Sequence, residues 1–138
     1  MTDDEDKSPP ARARAEFAPA VLAVVALGGS LGAVARWGLV SLFPSAASAW
    51  AVLGVNVSGA LLMGVLMAAV TEVPSLPRLT RPFLGVGVLG GYTTFSTYTA
   101  DVLALDRFAA LACLVLTPVT ALAAVAVGVR GARAVLRR

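Results

Sequence analysis

Four long apolar stretches, 17–43, 50–70, 82–105 and 108–129, are separated by loops of only a few residues. Each meets the requirement of roughly 20 largely apolar residues for a helix crossing a bilayer. Backbone groups in hydrocarbon have no water to bond, so only helices or closed barrels span it. A barrel strand would alternate apolar and polar residues, whereas these stretches are continuously apolar. The short apolar run of a cleavable signal peptide does not account for four of them. Only 14% of the residues are charged, against about 25% in a typical soluble domain. The expected fold is therefore an all-α membrane protein with four transmembrane helices per subunit.

The chain divides into three parts. Residues 1–16 carry the acidic run Asp3-Asp4-Glu5-Asp6 and two prolines, and read as a disordered cytoplasmic tail. Residues 17–129 form the four-helix channel-like domain, and 130–138 form a basic cytoplasmic tail. Short loops force neighbouring spans to run antiparallel. The N-terminus, second loop and C-terminus then share one side, with Lys7, Arg12, Arg14, Arg78, Arg81, Arg130, Arg133, Arg137 and Arg138. The opposite side has Arg107 alone, and Arg36 lies inside the first span. Positive charge marks the cytoplasmic side, so both termini are expected in the cytoplasm and the chain in the plasma membrane.

Much chemistry is excluded. The chain has no histidine, so triads and His-metal sites are absent, and its single cysteine, Cys113, has no intrachain partner. Of the carboxylates only Asp101 lies within a span, near its end. A hydrolytic enzyme has little to work with.

The polar residues inside the spans are few. Gly28, Gly32 and Arg36 fall at i, i+4 and i+8, one face on which a second helix can approach closely. An arginine at membrane depth costs at least about 2.5 kcal/mol. Two readings are open for Arg36: snorkelling or structural pairing, and a water-filled vestibule that attracts anions. Asn56 is the one amide in any span, and serves either as an interhelical hydrogen bond or as a donor to an ion. The third span holds the densest signal, Gly90-Gly91-Tyr92-Thr93-Thr94-Phe95-Ser96-Thr97-Tyr98-Thr99. Paired glycines before β-branched threonines make poor helix. A break here is expected, and mid-membrane breaks expose carbonyls and half-helix ends that hold ions. Phe95 and Tyr98 share a face after the break, where ring edges carry partial positive charge. In the fourth span the Thr117 hydroxyl either lines a pathway or satisfies the carbonyl freed by Pro118, and the latter is the reading favoured.

These residues resemble the Fluc (CrcB-type) fluoride channel family over about 20–129. The resemblance rests on Gly28–Gly32 with Ala35-Arg36-Trp37, on Val55-Asn56-Val57-Ser58-Gly59, and on Gly90–Tyr98. It implies a passive, fluoride-specific channel that lowers cytoplasmic fluoride. It further implies an antiparallel dimer of four-helix subunits, each with its third helix broken at mid-membrane. A structural, untransported sodium ion at the dimer centre would take backbone carbonyls matching Gly90 and Thr93. The fluoride pathway would match Asn56, Phe95 and Tyr98, with Thr94, Ser96 and Thr97 nearby, Thr117 on the fourth helix, and Arg36 at the family's first-helix arginine. Two positions depart from the pattern: Tyr98 stands where phenylalanine is common, and the fourth helix, with Cys113, Thr117 and Ala121, is poor in hydroxyls.

The nine-to-one charge bias should fix one orientation, whereas an antiparallel homodimer needs one sequence inserted both ways. The expected partner is a paralogous subunit inserted oppositely. Two other classes compete. A small proton-coupled multidrug-type antiporter would need a central carboxylate, for which Asp101 is the nearest residue. A non-conducting assembly subunit would not need Asn56 or the hydroxyl cluster.

Overall fold

A computed structural model describes residues 19–44 and 47–137. The expected tail over 1–16 lies outside the described residues. The elements in chain order are α1 (Pro19–Ser41), α2 (Ser48–Glu72), a π-helical segment π1 (Arg81–Leu89), a single turn α3 (Gly90–Tyr92), α4 (Ser96–Ala104) and α5 (Arg107–Leu136). The described residues are all helix and connecting turns. Three helices, α1, α2 and α5, are long and apolar enough to cross a membrane.

The chain is arranged as two close helix pairs, α1 with π1–α3 and α2 with α5. Small residues at the contacts explain both. A Cβ on Gly32 would fall on the Val88 carbonyl, and one on Gly91 on the Gly29 carbonyl. In the second pair a Cβ on Gly64 would meet the Val125 carbonyl, and one on Gly128 the Leu61 carbonyl. Lipid chains are as apolar as leucine, so burial of large side chains does not drive such association. Backbone proximity and dispersion do. The buried set is accordingly small: Ala49, Ala51, Val52, Val55, Ala68, Ala124 and glycines. Leu31, Val34, Trp37, Val86, Leu122 and Val127 instead face outward.

Hydroxyls that lie on the long helices mostly bond back to their own backbone. Ser30 Oγ donates to Ala26 O at 3.0 Å, Thr71 Oγ1 to Met67 O at 2.8 Å, and Thr99 Oγ1 to Phe95 O at 2.9 Å. Such local satisfaction lets a polar side chain sit in an apolar setting at little cost. Asp106 caps α5, its Oδ1 accepting from the amides of Phe108 at 3.0 Å and Ala109 at 3.2 Å. Two of the four amides that every helix start leaves without carbonyls are thereby bonded.

At its far end α5 runs past Val129, where the apolar stretch stops, to Leu136. Ala132, Arg133, Ala134 and Leu136 are good helix formers, so charge ends the hydropathy there without ending the helix. Glu72, at the end of α2, accepts from Arg137 Nη2 at 2.6 Å and lies 3.4 Å from Arg133 Nε. The arginines are largely exposed, so these ion pairs register the two helix ends more than they stabilise the fold.

Close backbone approach gives a direct contrast. Gly32→Ala, whose Cβ meets backbone, should lower stability by about 1–3 kcal/mol. Gly38→Ala faces open space and should be neutral or stabilising by up to about 1 kcal/mol. Thermal unfolding of the two variants in detergent, followed by tryptophan fluorescence, checks this.

Candidate functional site

The segment expected as the third span does not form one helix. Glycines at 85, 87, 90 and 91 and Pro82 weaken ordinary helical bonding. In π1 the Gly90 amide reaches back to the Gly85 carbonyl, five residues away. Helix nevertheless continues through Gly90-Gly91-Tyr92, so the paired glycines are not the break that their composition suggests. Their role is the close contact with α1. The chain departs from helix at Thr93, whose φ of −78° and ψ of 151° are extended, and resumes at Ser96.

Asn56 on α2 holds this opening. Its Nδ2 donates to Thr94 O at 3.0 Å, and its Oδ1 accepts from the Thr94 amide at 2.9 Å. The side-chain amide thus pairs with one residue of exposed backbone as a neighbouring β-strand would. The paired bonds also fix which end of the amide is oxygen. Of the two sequence readings, the interhelical one describes these bonds. Asn56 still has a second amide hydrogen, and it lines a cleft.

Arg36 holds the same break from α1. Its Nε donates to Gly91 O at 3.3 Å and its Nη1 to Thr97 Oγ1 at 3.2 Å. The guanidinium bridges the two sides of the break, which replaces snorkelling with structural pairing. Its partners are a carbonyl and a hydroxyl, not a carboxylate. Thr94 Oγ1 accepts from the Thr97 amide at 3.3 Å, capping α4, and lies 3.3 Å from Ser96 Oγ. On α5, the Cys113 carbonyl accepts from Tyr98 Oη at 3.2 Å. The break is therefore tied to all three long helices.

These bonds divert amides from their helical acceptors. In a continuous helix the Thr94 amide would bond Gly90 O, and the Thr97 amide would bond Thr93 O. The first goes to Asn56 and the second to Thr94 Oγ1. The carbonyls of Gly90 and Thr93 are the two that lose their usual donors, as a cation site built from backbone oxygen requires.

A cleft of about 700 Å³ brings together Asn56, Gly90, Thr93, Thr94, Phe95, Tyr98 and Thr117. The Phe95 and Tyr98 ring centroids are 5.8 Å apart, tilted by 48°. Phe95 is 79% exposed and Tyr98 only 6%. Thr117 corrects an expectation. Its hydroxyl does not satisfy a carbonyl near Pro118; it is buried without a hydrogen-bond partner. Thr120 instead bonds back to the Leu116 and Thr117 carbonyls. Ser96 and Thr97 flank the cleft through Thr94 and Arg36. Asp101 lies apart from it, with Oδ1 3.3 Å from Ser48 Oγ and Oδ2 buried without a partner.

Two contacts were not legible in the sequence. The Ser58 and Tyr92 hydroxyls meet at 3.1 Å beside a second, apolar cleft lined by Leu39, Phe43 and Trp50. The Glu72–Arg137 pair joins residues far apart in the chain. Both depend on helix rotation, which single-span patterns do not encode.

Fold and site together define a multi-pass helical membrane protein with a braced polar break beside a cleft. Residues 23–129 match the family described as CrcB-like protein, Camphor Resistance (CrcB). A fluoride-specific ion channel of Streptomyces coelicolor is 46% identical over 85% of this chain and 80% of its own length. One of Nocardia farcinica is 44% identical over 83% of this chain and 86% of its own length. Another, of Thermobifida fusca, is 54% identical over 65% of this chain and 67% of its own length. The chain belongs to the CrcB family.

Asn56→Ala should leave the Thr94 amide and carbonyl unbonded, and each such group costs about 1–3 kcal/mol when kept from water. A fall in unfolding temperature, with faster amide hydrogen exchange at Thr94, is the expected outcome. Unchanged exchange would mean that Asn56 does not hold the break.

Proposed function

We propose that this protein is a fluoride-specific channel that passively exports fluoride across the plasma membrane and so lowers its toxicity. The observation that carries this reading is the cleft beside the break. It offers the unpartnered Thr117 hydroxyl, the second Asn56 amide hydrogen and the rings of Phe95 and Tyr98, and no carboxylate lines it. Neutral donors replace the hydration of a small anion without trapping it as a fixed cation would. Ring edges add weak positive potential. Arg36, bonded only to neutral groups, adds a charge that favours anions nearby. Thr94, Ser96 and Thr97 complete the polar track. The names of the relatives point to the same ion.

In this reading π1, α3 and α4 together make a third span, giving four, with the break at mid-membrane. Two subunits pair antiparallel across the face that bears the cleft. The Gly90 and Thr93 carbonyls, freed of their helical donors, suit a hard cation such as sodium. Such an ion would be structural, drawing the two breaks together at the dimer centre. Both termini are cytoplasmic, and the strongly one-sided positive charge favours a paralogous partner inserted the other way.

Fluoride efflux from liposomes, read with a fluoride electrode, tests the proposal. The chain reconstituted with an oppositely biased paralogue should release fluoride, exclude chloride, and lose activity when sodium is withheld during assembly. Absence of fluoride flux in every pairing would refute the channel reading. Robust flux from this chain alone would remove only the paralogous partner.

A further inference from the structure

Tyr98 stands where α4 meets α5, and its two ends do different things. The ring lines the cleft with Phe95, while the hydroxyl points away to donate to Cys113 O, at 3.2 Å. Cys113 is 1% exposed and Tyr98 6%, so the tie is shielded from water. Thr117 lies one helical turn beyond Cys113 on the same buried face, and presents its unpartnered hydroxyl. Ring and hydroxyl therefore face one cleft from two helices, and the Tyr98–Cys113 bond fixes the distance between them.

The acceptor makes the purpose of this bond distinctive. By its place in α5, Cys113 O is already the helical acceptor for the Thr117 amide, and a carbonyl has two lone pairs. The tyrosine bond is a second one on the same oxygen. Removing it leaves no carbonyl stranded, so α5 does not need it in order to fold. What it supplies is position. A phenyl ring at this site could slide or tilt against α5, whereas the phenol is held at its far end.

We propose that the Tyr98 hydroxyl makes this a positioning residue for anion selection. It pins the ring edge at a set separation from the Thr117 hydroxyl, so that the gap suits fluoride and is too narrow for chloride. This rests on the channel reading above and extends it to the feature that discriminates between halides.

The test is the fluoride-to-chloride permeability ratio of the reconstituted, partnered channel, measured for the wild type, for Tyr98→Phe and for replacement of Tyr98 by 4-aminophenylalanine. The amino compound keeps a donor at the end of the ring. Losing one hydrogen bond of ordinary strength corresponds to a fall of about fivefold in the ratio for Tyr98→Phe. Restoration by 4-aminophenylalanine to within about twofold of wild type is expected, since the donor returns. A merely structural tie would shift the unfolding temperature and leave the ratio alone. An unchanged or increased ratio in Tyr98→Phe overturns the proposal, as does failure of 4-aminophenylalanine to restore a lowered one. If the wild type carries no fluoride, the channel reading fails instead, and that outcome is distinct.

Discussion

The reciprocal pair of hydrogen bonds between the Asn56 side chain and the Thr94 backbone is the contact on which the site depends. A helix interrupted in an apolar setting exposes amides and carbonyls that water cannot reach, each at a cost of a few kcal/mol. Asn56 bonds one amide and one carbonyl at once. Arg36 takes the Gly91 carbonyl, and Thr94 caps the helix that follows. Once these groups are held, the chain can remain extended at Thr93. The carbonyls whose donors have been diverted then become available for an ion. The device that stabilises the break is also the device that makes it chemically useful.

The close helix pairs make this arrangement possible. Only where glycine replaces larger residues can α1 approach π1 and α3 near enough for the Arg36 guanidinium to span the break. Likewise Gly64 and Gly128 bring α2 against α5, which sets Asn56 and Thr117 on one cleft. The long apolar side chains that point outward need lipid or a second subunit to cover them. Packing and chemistry are thus divided between residue classes: glycine and alanine bring backbones together, and a handful of amide, hydroxyl and guanidinium groups act in the space between them.

Much of this was legible in the sequence, because membrane-length hydropathy, Asn56 as a lone intramembrane amide, and the hydroxyl run after Gly91 are local signals. The grouping of Asn56, Phe95, Tyr98 and Thr117 on one cleft followed from the family resemblance. What was not legible depended on geometry between spans. Gly90-Gly91 was expected to break the helix by propensity, but the contact with α1 holds those residues helical and displaces the break to Thr93. Thr117 was expected to serve the Pro118 kink, yet its hydroxyl turns to the cleft. The π-helical bonding before Gly90 and the continuation of α5 past Val129 left no mark in hydropathy. Pairings such as Ser58–Tyr92 and Tyr98–Cys113 depend on the rotation of one helix against another, which periodicity within a span does not record.

The central claim is that an ion path lined by neutral donors runs beside the braced break and carries fluoride without a coupled proton. The most direct measurement is the reversal potential of the partnered protein in a planar bilayer under a fluoride gradient, with chloride and pH varied independently. The account predicts currents that reverse at the fluoride equilibrium potential and do not move with a pH gradient or with added chloride. A reversal potential that follows pH, or that shifts toward the chloride equilibrium potential, would contradict it.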